Sequence, residues 1–387
     1  MGAKTNSAAR ATRRVLCSLA LGVFFGVLHP LSALQNPATD GRSIATLERQ
    51  ANAEREANHL PEAAALYRRA LALKPDWTKG WWSLGTLLYD ADQYAEAAQA
   101  FEHTVALLPK EGKAFAMLGL CEAKLGHSGQ ALAQLDKGRS LGAAEDPGMR
   151  PVLLYTEGTL LLEKGEFGKA QDALRMLARD GAQQPELIAA LGLAALGIKP
   201  AQISAADQPT RDAVQCAGDA ERLAARGEAG PALEAFSKLV AGYARMHNVQ
   251  FAYGRYLLSI HEDARAVEAF QKEIGNTPNH LLARLGIAGV LAATDAPSGL
   301  PYAEQAVRLA PGLAETHYVL GLTLLNMGEV ARAIPELEKA RSGQPDEAKV
   351  YLALSRAYTR AGRKKDAANA RAAFARLNAG DAAHADN

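Results

Sequence analysis

TKGWWSLGTLLYDADQYAEAAQAFEHTVALLPKE, residues 78–111, holds two helical patterns joined by a turn. Trp81, Leu84 and Leu88 are three and four apart, so they share one side of a helix. Asp90-Ala91-Asp92 is turn-like, and a second run carrying Ala97, Phe101 and Leu107 stops at Pro109. Gly85 and Ala97 are small enough to let the two helices cross closely. The pattern recurs: Ala63, Ala97 and Ala131 are thirty-four residues apart, as are Tyr67, Phe101 and Leu135, and as are Gly85 and Gly119. A fixed period of this length marks a stacked repeat rather than a single compact core.

This arrangement resembles the tetratricopeptide-repeat family, whose unit is a helix-turn-helix of thirty-four residues. The resemblance implies an all-α fold, an α-solenoid wound as a right-handed superhelix. Such a unit cannot bury its apolar face alone, so it must stack on its neighbours. Repeats are expected from Ile44, Thr78 and Gly112. A loop over 142–151 leads to a fourth repeat with Gly158, Ala170 and Leu174. A fifth begins at Pro185 with LIAALGLAAL, and the turn-rich GIKPAQISAADQPT follows, residues 197–210, where a second helix is hard to find. The array therefore divides on paper into 44–197, four repeats and a half-repeat, a break at 198–210, and 211–379, about five repeats. Of those five, 281–312 is degenerate. A polar tail is expected over 380–387.

The turns carry independent support. The fifteenth repeat position holds Gly126, Gly165, Gly227, Gly328 and Gly362, and elsewhere Asn58, Asp92 and His261. Glycine takes the left-handed conformation without a Cβ penalty, and the other three are among the residue types that tolerate it best.

The chain has 387 residues, 48% hydrophobic and 22% charged, the balance of a folded protein. Its formal net charge of +1 gives no global field to attract nucleic acid or an anionic membrane. At the N-terminus Arg10, Arg13 and Arg14 precede the apolar run 15–28. Residues 1–33 are expected to be a secretory signal peptide, or else an N-terminal anchor formed by 15–34, followed by a polar linker over 34–43. Export would place the protein in the periplasm or outside the cell, with membrane contact only through that segment. Cys121 and Cys216 read as small core residues, too many repeats apart to bridge.

No catalytic pattern stands out: there is no Gly-rich phosphate loop, no HExxH and no Gly-x-Ser-x-Gly elbow. The histidines look scattered, and no catalytic, cofactor or metal residue is assigned. Signal, repeats and tail use up the length, leaving no room for a catalytic domain. The family resemblance implies instead that the first helix of each repeat faces a ligand groove. Transferred residue by residue, its fifth position is Trp82, Tyr155, Phe251 and Tyr318, with Thr86, Tyr89, Arg255 and Asn326 beside it. Aromatic rings with few charges suit an apolar peptide or an amphipathic helix. Packing between helices is the competing role for the same rings. Of the neighbouring tryptophans, Trp81 is expected in the core and Trp82 in the groove. The carboxylate clamp of some family members needs a lysine where this chain has Glu48, beside Asn52. The basic last repeat, with Arg356, Arg360, Arg363, Lys364, Lys365, Arg371 and Arg376, reads as a solvated cap or as a patch for an acidic partner. The expected function is a non-enzymatic protein-interaction scaffold or adaptor. An envelope assembly factor holding a client is the alternative, and an enzyme with its site in the groove stands last.

Overall fold

The computed structural model describes the backbone of residues 37–385 and the side chains of residues 43–379. Twenty α-helices and no strand occur among the described residues. In chain order they are α1 (Pro37–Glu56), α2 (Leu60–Leu73), α3 (Thr78–Asp90), α4 (Tyr94–Leu107), α5 (Gly112–Lys124), α6 (Ser128–Ser140), α7 (Arg150–Lys164), α8 (Phe167–Arg179), α9 (Pro185–Leu196) and α10 (Pro200–Ile203). There follow α11 (Gln208–Ala225), α12 (Ala229–Tyr243), α13 (Val249–Ser259), α14 (Asp263–Asn276), α15 (Leu281–Thr294), α16 (Ala296–Leu309), α17 (Ala314–Asn326), α18 (Val330–Gly343), α19 (Ala348–Arg360) and α20 (Lys364–Ala385). Apart from the stretch α9 to α11, consecutive helices pair as antiparallel hairpins, and each second helix also packs on the first helix of the next repeat. First helices of neighbouring repeats meet directly, α5 with α7, α7 with α9, α15 with α17 and α17 with α19, so they form the inner layer of an all-α solenoid.

The hairpins close through one recurring contact. Gly85 of α3 faces Phe101 of α4, and a Cβ at Gly85 would lie 2.9 Å from that ring. The same contact joins Gly119 to Leu135, Gly158 to Leu174, Gly254 to Phe270 and Gly321 to Leu337, each pair sixteen residues apart. The larger partners are essentially fully buried. A methyl group on the inner helix would push the hairpin open, so small-opposite-large is what fixes the helix spacing. The expected turn conformation is present throughout: Asn58, Asp92 and His261 have φ of 61°, 57° and 61°, and the five turn glycines lie between 73° and 85°.

Several expectations change. The signal or anchor over 1–33 lies outside the described residues. The linker expected over 34–43 is already helical from Pro37, because proline suits the first position of a helix. The polar tail over 380–387 instead continues α20 to Ala385, the alanines of DAAHA being strong helix formers. Trp81 is half-buried, not core: it stacks on His103 at 4.0 Å and its indole nitrogen donates to the Pro75 carbonyl at 2.8 Å. Cys121 is fully buried, its thiol pushed up to about 12 by burial, but Cys216 is only half-buried. No helix among the described residues is long and apolar enough to cross a membrane.

The break expected over 198–210 is shorter and does not interrupt the packing. The four-residue α10 replaces a second helix, and α11 already starts at Gln208, capped by Asp207, whose carboxylate accepts from the Thr210 amide at 3.0 Å. With no second helix of its own, α9 packs on α11. A Cβ at Gly192 would lie 1.9 Å from the Val214 carbonyl oxygen, and one at Gly218 would lie 1.9 Å from that of Ile188. The two backbones touch, which only glycine at both places allows. The eighteen-residue α11 thus serves twice: it covers α9 and also pairs with α12. The largest core cluster runs through this region, from Leu154 of α7 to Tyr256 of α13.

Candidate functional site

Two hollows open between first helices, and they occupy equivalent places in different repeats. One, of about 450 Å³, is lined by Thr78, Lys79 and Trp82 of α3, Thr104 and Leu108 at the end of α4, and Glu111 and Lys113 at the start of α5. The other, of about 350 Å³, is lined chiefly by Pro151, Val152 and Tyr155 of α7, Leu177 of α8, and Gln184 and Glu186 at the start of α9. Thr78, Lys79, Trp82, Thr104, Glu111 and Lys113 each have a counterpart seventy-three residues later. Trp82 is half-buried and meets Phe101 edge-on at 5.5 Å. Tyr155 is 36% exposed and Val152 48% exposed, so the second hollow presents apolar surface to solvent. Burial pushes the Tyr155 phenol up, so the ring is neutral at any ordinary pH.

The other expected groove residues divide by what already holds them. Thr86 is half-buried and returns its hydroxyl to the Ser83 carbonyl at 3.0 Å. Tyr89 meets Tyr94 edge-on at 5.4 Å. Tyr318 is half-buried with the Lys349 ammonium 5.2 Å above its ring. Phe251 packs between Phe270, at 5.7 Å, and His280, at 4.8 Å. Asn326 donates its amide to the Ala292 carbonyl of the preceding repeat at 2.8 Å, tying the end of α17 to the end of α15. Arg255 bonds to Gln171 of α8 and lies 5.9 Å over Phe251. Phe251, Arg255 and Asn326 are therefore engaged inside the protein, while Trp82 and Tyr155 border open space. Of the clamp positions, Glu48 pairs with Lys79 at 2.6 Å and Asn52 accepts from the Tyr67 hydroxyl at 2.6 Å.

Two polar clusters were missed by sequence reasoning. In the first, Gln171 and Arg175 of α8 meet Glu221 of α11 and Arg255 of α13. Arg175 Nη1 is 3.4 Å from Glu221 Oε2, and Gln171 and Glu221 are 1% and 3% exposed. Burial raises the Glu221 carboxyl above its ordinary range, against the opposing pull of Arg175 and Arg255. In the second, His247, Glu273 and His280 bring ligand-type atoms within 4.8 Å of one another. So the histidines are not all scattered.

The hydrogen bonds of the second cluster decide its role. His280 Nδ1 accepts from the Ala283 amide at 3.0 Å, so Nε2 carries the proton and donates to Asn248 Oδ1 at 2.7 Å. The Asn248 amide nitrogen is in turn committed to the Leu196 carbonyl at 2.7 Å. His280 has no lone pair left for a metal. Burial also lowers its pKa, keeping the ring neutral. The fully buried Glu273 accepts from the amides of Asn248, at 2.9 Å, and Phe251, at 3.2 Å. A carboxylate there caps α13 and offsets the positive end of its dipole. The cluster ties the end of α9 to the starts of α13 and α15.

A family profile described as tetratricopeptide repeat matches residues 48–112 and 318–382. No curated protein matches the chain. Solved structures that resemble it include a "MamA RS-1 ArsTM double mutant", 25% identical, covering 44% of this chain and 96% of its own at a TM-score of 0.41. They also include "MamA 41-end from Desulfovibrio magneticus RS-1", 25% identical, covering 43% of this chain and 92% of its own at 0.38. The thirty-four-residue period, the glycine-to-ring hairpin contacts and the matched segments near both ends of the array lead to one conclusion: residues 48–112 and 318–382 match the tetratricopeptide-repeat family, and the same helical hairpin recurs between them.

Proposed function

We propose that this protein is a non-catalytic scaffold that holds a peptide or helix of a partner protein along its inner layer of first helices. The observation that carries this reading is the pair of equivalent hollows, each bordered by an aromatic ring at the fifth position of its repeat, Trp82 in one and Tyr155 in the other. Paired apolar hollows at a fixed separation suit a ligand with two apolar anchors, such as one face of an amphipathic helix. Thr86 and Tyr89 continue the face from Trp82, and Tyr318 offers a further ring at the far end. Selection of displayed peptides against the whole protein tests this. Enriched sequences should share two spaced apolar anchors, and Trp82→Ala with Tyr155→Ala should abolish their capture while the helical circular dichroism signal is retained. Capture unaffected by both changes would refute the groove.

The reading includes a place of action outside the cytoplasm. Its support is the order of Arg10, Arg13 and Arg14, the apolar run 15–28 and the small residues up to Ala33. Fusing residues 1–43 to a reporter enzyme that is active only after export gives the test. Activity is expected with the natural segment and should vanish when Val15–Leu28 is interrupted by charged residues.

A further inference from the structure

We infer that the last repeat, α19 with α20, is a docking surface for a short acidic segment of a partner protein. It stands apart from the Trp82 and Tyr155 hollows. Residues 348–385, the span of α19 and α20, carry eight lysines and arginines against two acids, Asp366 and Asp381, a net charge of +6. Residues 37–347 carry thirty-nine acids against thirty-one bases, a net −8. The near-neutral total therefore hides a strong separation of charge along the array.

The cations of the last repeat are also mostly unmatched. Lys349 pairs with Glu315 at 3.2 Å, and Arg363 pairs with Asp366 at 2.7 Å. Among the described residues the other six have no carboxylate partner. Arg360 reaches only the Leu325 carbonyl, at 2.5 Å, and Arg371 only the Thr359 hydroxyl, at 3.4 Å. Arg356, Lys364, Lys365 and Arg376 are exposed. Arg371 stands thirty-four residues after Leu337, the place taken by a buried ring or leucine in the regular repeats. A terminal repeat needs a polar outer face. It does not need one sign, and crowding like charges costs stability unless a counter-charge arrives.

The surroundings select the occupant. The adjoining repeat, residues 314–347, carries six acids against three bases, so a long nucleic acid duplex crossing it would be repelled. Among the described residues the exposed apolar positions of α20 are alanines, Ala368, Ala372, Ala375 and Ala379, too small to anchor in lipid, while Phe374 and Leu377 are half-buried. On α19 the exposed Leu352 sits between Lys349, whose ammonium lies 5.2 Å over the Tyr318 ring, and Arg356 at helical spacing. A short segment of Asp and Glu around one apolar side chain matches this surface.

Fluorescence anisotropy on the full chain, with a labelled Asp/Glu peptide containing one leucine and its Asn/Gln counterpart, tests the inference. The acidic peptide should bind at least about tenfold more tightly, weaken as salt rises, and lose about tenfold on combining Arg356→Glu, Lys365→Glu and Arg376→Glu. The neutralising Gln versions should give a smaller loss in the same direction, and circular dichroism should show both variants folded. Trp82→Ala should leave this binding unchanged, so failure here and failure of the groove are told apart. Equal affinity for the neutral peptide, tighter binding of duplex DNA or phosphatidylserine vesicles, or no effect of the triple variants would overturn it. So would salt-sensitive self-association that the triple variant abolishes, which would make the occupant a second copy of this chain.

Discussion

Trp82, Phe101 and Glu221 show how differently single side chains are held in this array. Phe101 is fully buried beneath Gly85, so Phe101→Ala should cost about 3–5 kcal/mol in urea unfolding. Trp82, half-buried at the rim of a hollow, should cost clearly less when truncated. Glu221 gives a pH signature. Its carboxyl is raised in the folded state by burial, so the folded protein holds that proton more tightly than the unfolded chain. Its contribution to stability is therefore greatest in acid, declines as pH rises from the ordinary carboxylate range through the raised value, and is flat above it. Glu221→Gln should remove that decline in thermal melts taken from pH 4 to 8. The turn residues were legible from residue type alone, since Asn58, Asp92 and His261 sit where glycine sits elsewhere. His247 and His280 were legible in principle, because residues about one repeat apart become spatial neighbours. Gln171, Glu221 and Arg255 were not, because they span the one place where the period is lost.

At the scale of the element, the helix that most changes the expected picture is α9. Eight of its twelve residues are buried, and a helix apolar on all sides must be covered on all sides. LIAALGLAAL thus already implied a continuous array, although the turn-rich stretch after it suggested a break. What the sequence could not reveal is that α11, a full repeat further on by ordinary reckoning, moves in to cover it. Gly192→Ala or Gly218→Ala should force the two backbones apart and cost about 1–3 kcal/mol. Gly289→Ala, inside α15 with open space around it, should instead stabilise by about 0.5–1 kcal/mol. Asn248 supplies a second comparison. It holds φ at 66° and bonds to both Leu196 and His280, so Asn248→Ala loses the conformation and the bonds, whereas Asn248→Gly loses only the bonds. The alanine variant should be the less stable of the two by about 1 kcal/mol in chemical denaturation.

Over the whole molecule the period in the sequence was enough to identify stacked hairpins. It could not show where cohesion concentrates, which depends on how α7 to α13 converge. Stability in such arrays is a sum of units and interfaces, so local opening should follow the size of the local core. Hydrogen exchange should be slowest in α9, α11 and α13, within the largest cluster, and fastest in α1 and α20 at the ends. Uniform exchange along the chain would contradict that distribution.

The double duty of α11 has a practical corollary for anyone dividing this protein. The turn-rich residues 197–207 look like the natural place to cut the gene in two, yet a fragment ending there strips α11 from α9 and leaves Ile188, Gly192 and the bare glycine seam in water. Such a piece should precipitate or associate. A fragment that retains α11 and closes after α12 should stay in solution, because the seam is then shut from within the same molecule.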